Sequence, residues 1–520
     1  MKIVHVSSQD FGGAGRAAHR LHRGLRRLDV DSTMLVMNKG TDDRSVLALR
    51  EEGGVWNATP DPTERSPVMD ENWKRWLQLQ RRYPNRPPGL ELFSDALGGV
   101  PLGDVPAIRD ADVVNLHWVA GMLEHRSLGE SLQGKPVVWT LHDMNAFTGG
   151  CHYAGDCEKF TTACGACPQL GSSDENDLSR ETFELKRDAY RSREIVVVTP
   201  SKWLGEEAGR SALFGGYRRD VVPYGLPLET YQIMPRDDLR AKLNLSSETK
   251  LALFGAENVG NERKGFRYLL EAFSALLKRG RSDVMLGFFG DMPQGMRLPE
   301  TDRIISFGRV DQELKLAMIY NVADAFALPT LEDNLPNTAL ESLACGTPVA
   351  AFNVGGIPDM VVEGETGALA EPRDAESLAD AIERAFSMPR EETSRRCRDR
   401  AERGHALDRQ AERYLELYHE TLGAPAQGVR AKGDVTKAEA HIERKELNEA
   451  RRELEAALRE KPDRIDALLD LAVVDIMQDR LADAEPKLAR VLELDPGNEV
   501  AKDNLHFLKE FKRAASGGEG

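Results

Sequence analysis

A chain of 520 residues is too long for a single hydrophobic core, and roughly two to four domains are expected. Its 85 acidic against 69 basic residues leave a net charge of −16, which counts against a general affinity for nucleic acid. No stretch resembles a transmembrane segment, and the opening apolar run, Ile3-Val4-His5-Val6, is too short for a secretory signal, so the chain reads as cytoplasmic, free or peripheral at the inner face of the membrane.

The first elements are a strand over residues 2–7, a turn Phe11-Gly12-Gly13-Ala14-Gly15, a helix over 16–28 and a second strand at 32–37. Residues 51–106 are rich in Pro, Gly and Trp without a clean period, and read as a long insertion over the active face. Apolar runs at 113–116, 137–141, 195–199 and 221–222 continue the strands. A second alternation begins near Lys250, with strands at 251–254, 284–289, 304–305, 325–328 and 349–352. Helices at 266–278, 311–321 and 338–344 fall between them. Strands alternating with helices predict parallel sheets covered on both faces. The expected fold class is α/β, with two Rossmann-like doubly wound domains over residues 1–225 and 226–425. Ligands in such sheets bind beyond the carboxyl ends of the strands, so the expected site is a cleft between the two domains.

Beyond about residue 430 strand signals vanish and a repeat takes over. Leu447, Ala450, Leu454, Leu458 and Pro462 recur as Leu481, Ala484, Leu488, Leu492 and Pro496, each 34 positions on. That period, with proline closing each unit, marks all-α tetratricopeptide repeats, expected over residues 434–513 with a final helix at 500–511. Such helical pairs form concave surfaces for protein partners.

Several residues could carry chemistry. The strand ending at Leu328 is followed by a polar loop holding Asp333 and by a helix starting at Asn337 or Thr338, with Glu341 one turn in. Free N–H groups at a helix start favour an anion, and a carboxylate there grips sugar or ribose hydroxyls; acids arranged for the helix dipole are the other reading. Lys264 is a cation suited to negative charge that grows on a bound group. Gly12, Gly13 and Gly15 let backbone N–H groups approach a phosphate or substrate, although a tight strand-to-helix turn also wants glycine. His142, with Asp143 beside it, ends a strand where a doubly wound sheet presents its ligands, and His117 is a similar candidate.

Of six cysteines, Cys151, Cys157, Cys164 and Cys167 fall within seventeen residues. They suit a tetrahedral structural zinc with His152 as a spare ligand; disulfides and an unligated cluster of buried thiols are the alternatives. Zinc would hold the Cys-rich loop 149–171 next to His142. Cys345 and Cys397 read as ordinary packed or surface residues.

Together these segments resemble the retaining glycosyltransferases of family 4, whose fold is the two-Rossmann GT-B type. Asp333 and Glu341, with seven residues between them, precede Ala344-Cys345-Gly346-Thr347-Pro348-Val349, as in the family. Val354-Gly355-Gly356-Ile357-Pro358-Asp359, Lys264-Gly265, Phe307-Gly308-Arg309-Val310 and Tyr320-Asn321-Val322-Ala323-Asp324 match further motifs, and the resemblance spans roughly residues 1–420. The turn Gly12-Gly13-Ala14-Gly15-Arg16 is similar to the start of exopolysaccharide members. The resemblance implies Glu341 on the ribose of a UDP- or GDP-sugar, Lys264 on the diphosphate, and Asp333 with Gly355 and Gly356 near the sugar. It also implies donor contacts from Gly12, Gly13 and Asn337, places His142 facing the transferred sugar, and requires no catalytic metal. Asp333 stands where the family has glutamate, and Ala256 stands near the place of an arginine; Arg263 either takes over that role or is a solvated base. The implied function is a retaining, hexosyltransferase-like enzyme acting on a saccharide or protein acceptor, with the repeats docking the acceptor or a protein partner. The alternative is an inactive GT-B fold serving as a protein-interaction module.

Overall fold

The computed structural model describes residues 1–423 except 54, 62–66 and 192, and beyond them 442, 447–460, 462–478, 480–498, 500–506 and 508. Residues 434–441, 443–446 and 509–513 of the expected repeat region lie outside the described residues. Two units divide the chain, Met1–Gly423 and Ala424–Gly520.

In the first unit, runs too apolar to face water on either side become the central strands of two sheets. β1 (Lys2–Gln9), β2 (Asp31–Asn38), β3 (Val46–Glu52), β4 (Val55–Thr59), β5 (Val113–Leu116), β6 (Val137–Thr140), β7 (Ile195–Thr199) and β8 (Arg218–Val221) form the first. Their order is β4-β3-β2-β1-β5-β6-β7-β8, and all pairs are parallel except β3 with β4. β5 and β6 are buried along their whole length. The β3–β4 hairpin and the helix Pro67–Arg82 occupy part of the stretch expected to be an aperiodic insertion. An edge strand packs on one side only, which weakens its pattern: Trp56 joins the core while neighbouring Val55 is exposed.

The first helix, Gly12–Arg27, starts earlier than expected, so the glycines form its opening turn. Gly15 is needed there because a Cβ would stand 2.5 Å from the Gln9 carbonyl oxygen.

The second sheet contains β9 (Lys250–Asn258), β10 (Val284–Asp291), β11 (Ile304–Ser306), β12 (Ala325–Leu328), β13 (Val349–Phe352) and β14 (Gly367–Ala370). It is parallel throughout, in the order β11-β10-β9-β12-β13-β14. β14 lies outside the expected strands because Gly367-Ala368-Leu369-Ala370 has no β-branched residue to mark it; pairing with β13 creates it.

The helix Leu407–Thr421 follows the second sheet in sequence but packs on the first. Its Ala411, Tyr414, Leu417 and Tyr418 share a core with Ile3, Leu21, Leu25 and Val138. Tyr418 donates to Asn115 Oδ1 at 2.6 Å, and the Tyr414 and Thr140 hydroxyls are 2.9 Å apart. The two sheets are thereby clipped together.

In the second unit the helices Leu447–Glu460, Ile465–Met477 and Leu481–Leu494 pack in succession. Ala450 and Leu454 are fully buried against Ala467 and Leu471, and their equivalents one period on, Ala484 and Leu488, against Leu468 and Ala472. The fully buried Asp475 is paired with Arg451 and Lys487. Among the described residues no helix is long and apolar enough to cross a membrane.

Tyr418→Phe keeps the ring but removes the donor to a buried amide oxygen. Urea unfolding should show a loss of about 1–2 kcal/mol; unaltered stability would contradict the clip.

Candidate functional site

The carboxyl ends of both sheets border a cleft of about 690 Å³. Gly12, Gly13, Trp118 and His142, which follow β1, β5 and β6, line one side, and Ala256, Lys264, Asp333 and Asn337 line the other.

Lys264 closes a short turn, Glu262–Lys264, ahead of the helix Phe266–Lys278. Gly265 follows with φ of +69°, and a Cβ on it would stand 1.9 Å from the Pro329 carbonyl oxygen. Glycine alone therefore lets the Lys264 turn lie against the loop after β12. Lys264 Nζ donates to Asp333 Oδ2 at 2.6 Å, and Arg263 Nη1 reaches the same oxygen at 3.1 Å. Burial opposes ionisation of Asp333, but the two cations outweigh it and hold the carboxyl below its ordinary range. Arg263 is not a solvated base. It bonds Glu91 of the insertion, lies 4.1 Å from the centre of the Tyr153 ring and lines the cleft beside Lys264.

Glu341 is only 1% exposed. Its Oε1 accepts from Arg20 Nη2 at 2.8 Å and its Oε2 from the Tyr320 hydroxyl at 3.0 Å. Arg20 comes from the first helix, on the other side of the cleft, and also reaches Glu313 at 2.6 Å. Sequence reasoning passed over Arg20; the available signal was its spacing of one helical turn from Arg16, which puts two cations on one face. Asn337 Nδ2 donates to the Gly13 carbonyl at 3.0 Å, tying the glycine turn to the start of the helix Asn337–Ala344.

Gly355 and Gly356 do not join the cleft lining and lie instead behind the Asp333 loop. A Cβ on them would stand 2.0 Å from the Asp333 carbonyl oxygen and 1.8 Å from the Asn334 carbonyl oxygen, so they buttress the carboxylate loop.

His142 lines the cleft, but both of its ring nitrogens are engaged within the protein: Nδ1 with the Tyr224 hydroxyl at 2.7 Å and Nε2 with His117 Nδ1 at 3.0 Å. Burial pushes its pKa down to about 4. His117 lies behind it rather than in the cleft lining. Asp143 Oδ2 accepts from Trp118 Nε1 at 2.7 Å and lies 2.6 Å from His152 Nδ1.

The expectation of zinc is corrected. Cys151, Cys157, Cys164 and Cys167 line one small cavity together with Phe93 and Phe160, and all are free thiols. Among the described residues no group of three or more His, Cys, Asp or Glu side chains stands where it could hold a metal ion. Burial pushes the Cys164 thiol up to about 12 and raises Cys151 and Cys167. The loop is ordered by other means. The fully buried Lys186 donates to the carbonyls of Asn145 at 2.5 Å and Thr148 at 3.2 Å, and Asp177 caps the helix Leu178–Tyr190 while holding the Cys167 amide at 2.8 Å. Cys345 and Cys397 are packed in the core of the second sheet domain.

Residues 249–388 match the family model for group 1 glycosyl transferases, and residues 437–503 match a tetratricopeptide repeat model. The lipopolysaccharide 1,2-N-acetylglucosaminetransferase of Salmonella typhimurium is 31% identical over 185 residues, covering 32% of this chain and 47% of that protein. The D-inositol 3-phosphate glycosyltransferase of Mycolicibacterium smegmatis is 28% identical over 286 residues, covering 52% of this chain and 58% of that protein. The chain spans about half the length of these curated relatives. Sucrose-phosphate synthase from Thermosynechococcus elongatus superposes with a TM-score of 0.56 at 17% identity, over 82% of this chain and 100% of that one. Anabaena HepE, solved in complex with UDP, gives 0.53 at 15% identity, over 81% of this chain and 100% of that one. Residues 249–388 are thus similar to group 1 glycosyl transferases and residues 437–503 to tetratricopeptide repeats, and the two sheets have the GT-B fold of these solved structures.

Proposed function

We propose that this chain is a retaining glycosyltransferase that moves a sugar from a UDP- or GDP-linked donor to a hydroxyl of a saccharide or protein acceptor. The observation that carries the reading is the convergence of Lys264 and Arg263 beside Asp333, on the side of the cleft whose residues match the glycosyltransferase model. HepE, a structural neighbour, was solved with UDP and with UDP-glucose.

In this reading residues 226–425 hold the donor, residues 1–225 receive the acceptor, and the repeats within 434–513 dock the acceptor or a protein partner. Glu341 accepts from the ribose hydroxyls, since an ionised carboxylate has lone pairs beyond those taken by Arg20 and Tyr320. Lys264 and Arg263 meet the diphosphate, where negative charge grows as the glycosidic bond breaks, and so favour the transition state over the bound donor. The acceptor oxygen bonds the anomeric carbon on the face from which the phosphate leaves, and the departing phosphate oxygen takes its proton. The sugar keeps its configuration.

Release of nucleoside diphosphate from a panel of sugar donors tests the reading, with NMR of the product anomer testing retention. No turnover and no nucleotide binding would sink it and leave the interaction-module alternative. Lys264→Met should lower kcat by about a hundredfold or more while the protein stays folded; an undiminished kcat would remove Lys264 from the chemistry. Glu341→Gln, which keeps the side-chain shape beside Arg20, should weaken nucleotide affinity by about tenfold in calorimetry; unchanged affinity would contradict the ribose role. Asp333 has its pKa depressed from an ordinary 3.8, so its ionised form contributes stability above that pH and the contribution is lost as pH falls through the folded value. The stability gap between the parent and Asp333→Asn should therefore be constant near neutrality and shrink in acid, as followed by urea melts; a gap independent of pH would contradict the pairing.

A further inference from the structure

Behind the cleft, three histidines from neighbouring strands of the first sheet form a hydrogen-bonded row. His5 lies in β1, His117 just after β5 and His142 just after β6, and these strands are adjacent in the order β1-β5-β6. His5 Nδ1 is 2.9 Å from His117 Nε2, His117 Nδ1 is 3.0 Å from His142 Nε2, and His142 Nδ1 is 2.7 Å from the Tyr224 hydroxyl. All four side chains are buried, and only His142 and Tyr224 reach the cleft lining. Tyr224 comes from the segment between the two sheets, and its ring stacks on His142 at 5.5 Å and 18°. Burial keeps the row uncharged, holding His142 near 4, His5 near 3 and His117 well below its ordinary value.

A neutral imidazole has one N–H and one lone pair, so each link constrains the next. Only two arrangements satisfy all three links. In one, Tyr224 donates to His142 and every proton points inward, which leaves a proton on His5 Nε2. In the other, every proton points outward: His5 donates to His117, His117 to His142 and His142 Nδ1 to the Tyr224 oxygen. His5 Nε2 has no hydrogen-bond partner among the described residues. Buried N–H groups without an acceptor are rarer than acceptors left short, which favours the outward arrangement. That arrangement frees the Tyr224 O–H.

We propose that Tyr224 is a substrate-contacting residue, whose O–H is turned into the cleft as a donor to a hydroxyl oxygen of the transferred sugar, and that His142 and His117 are positioning residues that fix this sense. The proposal deepens the transferase reading and rests on it for the identity of the ligand. It also accounts for His142 itself: with both ring nitrogens engaged inside the protein, its polarity reaches the cleft through Tyr224.

Nitrogen-15 NMR of histidine-labelled protein, with His142→Gln used to assign the signal, should show His142 as the Nδ1–H tautomer. Tyr224→Phe keeps the stacked ring and should lower kcat/KM for the sugar donor by about tenfold, with affinity for the free nucleoside diphosphate and the melting temperature unchanged. His117→Gln should shift the His142 signal towards a tautomer mixture. An Nε2–H tautomer at His142, or a Tyr224→Phe enzyme as efficient as the parent, overturns the proposal. Lack of turnover with every donor would overturn the transferase reading instead, and the tautomer measurement would still decide where the proton lies.

Discussion

A carboxylate removed from water persists as an anion only if a cation is brought to it, and the cleft is organised around that requirement. Glu341, at the start of its helix, is closed off from solvent, and its cation is Arg20, a residue of the opposite sheet domain. Asp333 takes two cations from the turn before a neighbouring helix. Arg263 in turn is held by Glu91, which the first domain sends across in its insertion. Folding the two sheets against each other and satisfying the buried charges are thus the same event. The tyrosines of the returning helix, Tyr414 and Tyr418, add the uncharged part of the same closure.

The cysteine loop serves this arrangement by delivering side chains rather than by holding a metal. Its thiols line a small cavity, while the residues beside Cys151 do polar work at the cleft. His152 pairs with Asp143, and Tyr153 lies under the Arg263 guanidinium. Such a stack orients a cation without consuming its hydrogen-bond donors, which leaves Arg263 able to serve Asp333 and Glu91 together. The firm anchor is Lys186, whose ammonium is buried among backbone carbonyls and pushed down to about 8 by that burial.

What could be read from the sequence follows from how local the cause is. The strands of both sheets announce themselves as apolar runs, and the 34-residue recurrence of Ala450 and Leu454 reports a repeated packing surface. Lys264, Asp333, Glu341 and His142 stood out because residue type and place at a strand end or helix start already constrain their chemistry. Arg20, Glu91 and Tyr224 did not. Arg20 and Glu341 are 321 positions apart and Glu91 and Arg263 are 172 apart, and no local pattern encodes such partners. The cysteine spacing misled for the opposite reason: close spacing in sequence allows ligation but does not impose the geometry. Gly355 and Gly356 were placed near the sugar by resemblance alone, and no local pattern shows that backbone of the Asp333 loop packs against them.

The net charge of −16 bears on this site less than the local pairing does. Lys264 and Arg263 face Asp333 and Glu91, two cations against two anions, so the cluster is close to neutral as it stands. Asp333 Oδ1 is also engaged, accepting from the Asn334 amide at 3.0 Å. An anion that approaches Lys264 and Arg263 meets cations already paired, so its oxygens would replace carboxylate oxygens around them, while Arg16 also lines the cleft. Exchange of this kind discriminates by geometry rather than by field. A group that presents several oxygens at diphosphate spacing can engage both cations and release Asp333, whereas a single carboxylate can only substitute for one already there.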